Sequence, residues 1–193
     1  AVGNNALDQS LTGDDNTALG YHAGYSNTTG HSNVAVGSYA LDANTTAHYN
    51  TAIGFQALTA NTTGANNTAV GYNAMVANTT GDQNIAVGKS ALSANTTGNQ
   101  NTAIGYNSLL AATTADSNTV IGYAAGSALT TGYQTVVVGK GALAACITGY
   151  QNVAIGHWAL ENYTGSANVA VGNQALEDCT TGANNTAIGH DAL

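Results

Sequence analysis

The sequence predicts an all-β fold, a parallel β-solenoid of about eleven 17-residue coils. Three observations carry that prediction. First, a small–aliphatic–glycine triplet ends at Gly3, Gly20, Gly37, Gly54, Gly71, Gly88, Gly105, Gly122, Gly139, Gly156, Gly172 and Gly189. Ten of the eleven intervals are 17 residues and one, from Gly156 to Gly172, is 16. Second, the residues before each triplet glycine alternate with the period of two that marks a strand. Third, the 193 residues include 24 glycines and no proline. A chain so rich in turn residues yet free of proline keeps every backbone N–H available, as a continuous hydrogen-bonded ladder requires.

Each coil follows from its own positions, counted from the triplet glycine as zero. Positions −3 and −1 are β-branched or aliphatic, as in Val34 and Val36, Ile85 and Val87, or Val153 and Ile155. Position −4 is Asn in ten of eleven coils, with Thr135 the exception, and −2 is Ala except at Val120 and Val137. One face of this first strand is therefore β-branched and the other small. A G-x-x turn follows, then a second alternation, so two short strands and two tight turns are expected in each coil. Leu or Met at +4, Ala at +6 and Thr or Ile at +8 fall on one face, as in Leu58, Ala60 and Thr62. A second turn column closes the coil at Gly13, Gly30, Ala47, Gly64, Gly81, Gly98, Ala115, Gly132, Gly149, Gly165 and Gly182. Glycine in both columns suits tight reversals at positive φ. The short coil is expected to lose its residue between Leu160 and Thr164. A helical reading fails on the cumulative propensity cost of recurring glycine and β-branched residues. The array spans residues 1–193 as a single domain and reads as a fragment of a longer fibre chain, since both ends are pieces of the motif.

The β-branched face is expected to fill the coil and the small face to lie outside. A solvated outer strand would carry Lys, Glu or Arg, whereas Ala35, Ala52, Ala69, Ala86 and Ala103 line up there instead. Small residues admit a second surface at close range, so this row is the candidate contact between copies in a closed cyclic oligomer. The aligned Asn residues at −4 are expected to form amide ladders along the rod. Only 6% of residues are charged, with two Lys or Arg against ten Asp or Glu and a net charge of −8. That balance offers no electrostatic footprint for nucleic acid or an anionic membrane. No apolar run approaches the roughly 20 residues of a membrane-spanning helix.

Catalytic chemistry finds no foothold in the sequence. The five histidines mostly occupy turn positions and none recurs with a carboxylate at metal-ligand spacing. Asp14 and Asp15 share one turn, but the Gly- and Asp-rich calcium repeat is absent. No cofactor or metal is expected. Cys146 and Cys179 both sit at +7, two coils or ~9.6 Å apart, beyond the ~7 Å Cα limit for a disulfide. Two surface columns are candidates for recognition. Position +1 gathers Tyr21, Phe55, Tyr72, Tyr106, Tyr123, His157 and His190, and the second turn adds Tyr133 and Tyr150. Aromatic rings stack on sugars and are enriched in binding surfaces. The plainer reading, that they cover turn backbone or pack between subunits, is preferred. Asn27, Asn44, Asn61, Asn78 and Asn95 begin Asn-Thr-Thr runs that are formal glycosylation sequons, yet five in one register read more simply as a ladder. Stacked threonines suggest ice binding as well, but those at +8 and +9 are adjacent and point to opposite faces.

The runs Asn50-Thr-Ala-Ile-Gly54 and Asn152-Val-Ala-Ile-Gly156 resemble the head repeats of trimeric autotransporter adhesins. The longer unit, Asn67-Thr-Ala-Val-Gly-Tyr-Asn-Ala-Met with Asn78-Thr-Thr-Gly81, is similar to repeats of bacteriophage tail-fibre proteins. The resemblance covers essentially the whole chain. It implies a left-handed β-roll, an intertwined or side-by-side homotrimer, and a structural role in an extracellular attachment fibre. A virion tail fibre presenting a receptor-binding tip is the first expectation. A bacterial surface adhesin whose repeats bind host glycan or matrix is the alternative.

Overall fold

The computed structural model describes residues 1–178 and 180–192. Eleven three-residue strands follow one another along the chain: β1 (Thr17–Leu19), β2 (Val34–Val36), β3 (Thr51–Ile53), β4 (Thr68–Val70), β5 (Ile85–Val87), β6 (Thr102–Ile104), β7 (Thr119–Ile121), β8 (Val136–Val138), β9 (Val153–Ile155), β10 (Val169–Val171) and β11 (Thr186–Ile188). They form one parallel sheet in sequence order, so the protein is a β-solenoid of about ten turns. Register is that of the repeat: Ala52 lies opposite Ala69 and Ile53 opposite Val70. Ten strand spacings of ~4.8 Å give a rod about 48 Å long.

The remainder of each coil is not a second strand. Ala57 and Leu58 are adjacent and both fully buried, which strict alternation of an extended chain forbids. Left-handed residues permit it. Gln56 (φ 54°), Leu58 (φ 54°) and Asn66 (φ 59°) mark the +2, +4 and +12 positions that recur around the rod. A non-glycine residue held there costs roughly 1–2 kcal/mol. The stacked coils compensate through backbone hydrogen bonds that continue beyond the sheet: Leu58 N–H donates to Ala74 C=O at 3.0 Å and Thr62 N–H to Thr79 C=O at 2.9 Å. The ladder runs through both the sheet and the turns.

The two glycine columns serve different needs. Gly54 has φ +136°, and a Cβ there would lie 2.4 Å from the Gly71 carbonyl oxygen. The second column lacks positive φ at most of its positions, against expectation. At Gly64 the constraint is space, since a Cβ would meet Gly81 O at 2.4 Å and Asn61 Oδ1 at 2.5 Å. The 16-residue coil also differs from its expected form. Tyr163 still occupies the buried +7 position, with its N–H on Leu160 C=O, and Thr164 N–H still reaches Thr180 C=O. The missing residue therefore falls after Thr164, at the +9 position that other coils expose, where deletion leaves the interior intact.

The interior reverses the expected face. Ala35 is 2% exposed, and Ala52, Ala69, Ala86 and Ala103 are 0% exposed. They pack in one core with Leu41, Leu58, Met75 and Leu92 from the opposite wall. The physical reason is that the −4 asparagines share their parity. Asn67 Nδ2 donates to Gly81 C=O across the coil, and Asn67 Oδ1 accepts the Asn84 N–H at 2.9 Å. A second buried amide ladder, at +7, runs through Asn27, Asn44, Asn61, Asn78 and Asn95. Gly64 C=O receives Nδ2 donors from both columns, Asn50 and Asn61. Buried amides must be satisfied, and these satisfy one another only inside the coil. The +7 ladder stops where Ala112 takes the next place, and Asn95 Oδ1 is left without a partner.

Candidate functional site

With Ala and Asn inside, positions −3 and −1 face outward on all eleven strands. Every one is Thr, Val, Ile or Leu, and none is charged. The burial pattern alternates accordingly: β3 has Thr51 half-buried, Ala52 buried and Ile53 exposed. Ile53, Ile85, Ile104 and Ile155 expose 37–42% of their surface. The strip measures about 48 by 10 Å from strand spacing and rise. Roughly 500 Å² of uncharged sheet thus lies open, within the range of the largest apolar patch on a monomer and of the kind that marks an interaction site. The row Ala35, Ala52, Ala69, Ala86 and Ala103 is not a surface, and the contact assigned to it from sequence is withdrawn.

Two columns flank the strip. The +1 residues follow each strand. Tyr21, Phe55, Tyr72, Tyr106 and Tyr123 are exposed there, as expected, and His157 is half-buried. Tyr133 and Tyr150, on the other flank, are exposed too. The rings stack on one another: Phe55 on Tyr72 at 5.5 Å, Tyr106 on Tyr123 at 5.0 Å, and Tyr133 on Tyr150 at 4.9 Å between centroids. Stacking in pairs covers one face of each of these rings, a face a sugar would otherwise use. Between these pairs sits Lys89, with Nζ 5.7 Å from the Tyr72 centroid and 5.6 Å from that of Tyr106. Lys140 Nζ lies 5.9 Å from the ring of Trp158, which itself stacks on His157 at 3.8 Å. Both lysines of the chain occupy this one column. Sequence reasoning passed over that coincidence, although position +1 reveals it by counting.

The opposite flank precedes each strand at +11. It carries Asp14, Asp82 and Asp116 together with His31, His48, Tyr133 and Tyr150. Asp82 Oδ1 accepts the Ala65 N–H, and Asp116 Oδ1 accepts the Asn99 N–H, each at 2.6 Å. Of the two flanking columns, one carries both lysines and the other Asp14, Asp82 and Asp116, while the remaining seven acidic residues lie at other positions of the coil. Among the described residues neither lysine has a carboxylate within 4 Å; the ion-pair contacts present join His22 to Asp42 and His190 to Asp191.

The remaining candidates resolve into structure. The five sequon asparagines are buried in the ladder, out of reach of a glycan. The threonines at +8 spend their hydroxyls on the next coil, as Thr62 does on Thr79 C=O at 3.1 Å. Cys146 is buried and its thiol is pushed up by burial; its comparison with Cys179 lies outside the described residues. Asp14 and Asp15 are exposed, and among the described residues no three His, Cys, Asp or Glu side chains gather as metal ligands. A depression of about 360 Å³ at the last coils is lined by Gln174, Glu177, Asp178 and Asp191. Nearby, burial and the Glu177 carboxylate hold Glu161 above the usual carboxylate range. Comparison with protein-family models, curated proteins and solved structures finds no match to the chain.

Proposed function

We propose that this chain is a structural segment of an extracellular attachment fibre, a non-enzymatic homotrimeric rod of a virion tail fibre that carries a receptor-binding tip. The observation that supports it best is the outward sheet face, uncharged from β1 to β11 and too long to suit water alone. A regular rod that repeats the same surface coil after coil offers a stiff spacer rather than a unique reaction centre. Three copies follow from the resemblance to trimeric adhesin heads and phage fibre repeats, and closed rings are the ordinary outcome for identical subunits. The paired stacking of the aromatic column favours a passive shaft over a glycan-binding one.

Cell attachment by the parent fibre tests the role. Replacing Tyr72 and Tyr106 by Ala leaves attachment unchanged if the segment is a spacer. Loss of attachment with an intact rod overturns this reading in favour of an adhesive repeat surface.

A further inference from the structure

The +7 amide ladder ends on an unused acceptor deep in the rod. In the coils below that end, one amide nitrogen performs two tasks. Asn61 Nδ2 donates to Asn44 Oδ1 of the previous coil at 3.3 Å and to Gly64 C=O of its own coil at 2.9 Å. Asn78 and Asn95 repeat the arrangement with Gly81 and Gly98. The next residue of the column is Ala112, which brings no such nitrogen to Asn95 Oδ1 or to Ala115 C=O. Ala115 C=O keeps its other donor, Asn101 Nδ2 at 2.6 Å, whereas Asn95 Oδ1 has none. Turning the Asn95 amide over offers no remedy, because its Nδ2 is held by Asn78 Oδ1 at 2.7 Å and by Gly98 C=O at 3.0 Å. Asn95, Ala112 and Ala115 are fully buried, as is Leu129, the residue that follows Ala112 in the column.

We infer that this is the binding site of one internal water molecule, which donates its two hydrogens to Asn95 Oδ1 and Ala115 C=O as an asparagine nitrogen does in the coils below. A buried amide oxygen without a donor carries its full desolvation penalty, and no donor of the chain reaches this one. The repeat shows that a single atom spans both acceptors, since the nitrogens of Asn61, Asn78 and Asn95 each do so. The room is of the right size as well. A Cβ at +10 points at the +7 amide oxygen: at Gly98 it would lie 2.5 Å from Asn95 Oδ1. By the same geometry the Ala115 methyl takes the oxygen's share of the room an amide needs at 112. The nitrogen's share accommodates the single oxygen atom of a water. Buried waters that bridge otherwise unpaired polar groups are ordinary components of folded proteins. This one stands where the column turns from amides, Asn27 to Asn95, to the apolar Ala112 and Leu129. The site lies within one chain and is independent of the fibre reading.

Two substitutions at Ala112 test the site by the sign of their effect. Both are made in the whole chain, with Ala115→Gly as the common background. Ala112→Asn supplies the nitrogen from the chain itself and should raise the midpoint of denaturant unfolding. Ala112→Leu introduces a side chain that the column already carries at Leu129, beside Gly132. It expels the water, strands Asn95 Oδ1 and should lower the midpoint. A dry site gives the opposite sign for Ala112→Leu, because filling an apolar gap stabilises, and that result overturns the inference. A crystal structure of the unaltered chain gives a second readout that requires no variant to fold. One ordered solvent peak within hydrogen-bond distance of both Asn95 Oδ1 and Ala115 C=O is expected. No peak there, or an Asn95 oxygen bonded directly to a donor of the chain, overturns the inference.

Discussion

At Gly54 the backbone angle and the neighbouring coil impose the same demand, whereas at Gly64 only the neighbour does. Gly54→Ala is therefore expected to cost about 3 kcal/mol or more, from an angle essentially reserved for glycine together with a clash against Gly71. Gly64→Ala should cost about 1 kcal/mol, because Ala47 and Ala115 already occupy that column. Denaturant unfolding of the two variants checks the contrast. Asn61→Ala removes a donor from Asn44 Oδ1 and Gly64 C=O and an acceptor from Asn78, and about 2–3 kcal/mol of stability should go with them. Acid affects other residues. Burial holds Asp42 above the usual carboxylate range, although His22 beside it pulls the other way, and Glu161 is raised by burial and Glu177. A carboxyl raised in the folded state binds more protons there than when unfolded. Its contribution is fullest below the unfolded value of about 4 and is lost as pH rises through the folded one. The melting temperature should therefore be higher at pH 4.5 than at pH 7, and Glu161→Gln should reduce the difference.

A strand of period two divides its residues into two sets and is silent on which set faces inward. The repeat, its register and the place of the strand before each triplet glycine were legible because the triplet recurs with so little drift, whereas the second strand expected in each coil is absent among the described residues. The inward face was not legible, because β-branched residues are ordinarily the ones buried. Here a 17-residue coil encloses a thin interior, and the asparagines that share parity with alanine need amide partners found only inside. Ala57 and Leu58 hid the rest of the coil for a related reason: consecutive burial comes from left-handed residues, and leucine gives no local sign of adopting that conformation. The flanking columns were half legible. The aromatic residues were visible by position, but Asp82 and Lys89 could not be set on opposite edges of one strand until that strand had ends. The inverted face makes a sharp prediction for neighbouring residues. Ile104→Lys should leave monomer stability within about 0.5 kcal/mol, while Ala103→Lys should prevent folding by burying an unpaired charge. Far-ultraviolet circular dichroism of the two variants distinguishes them.

Over the whole rod, stability is shared among coils that touch only their neighbours. Two interior amide ladders, a continuous backbone ladder and small core side chains make a stiff object with little variety along it. What varies lies on the outside, in one uncharged strip and two flanks of unlike chemistry. The central claim is that this strip, and not the alanine row, holds copies together in a fibre. Light scattering on the Ile104→Lys, Ile53→Lys double variant beside the unaltered chain tests it most directly. The account predicts three chain masses for the unaltered protein and one for the variant, with the same β-sheet signal in both. An unaltered protein of one chain mass, or a variant that keeps three, would contradict it.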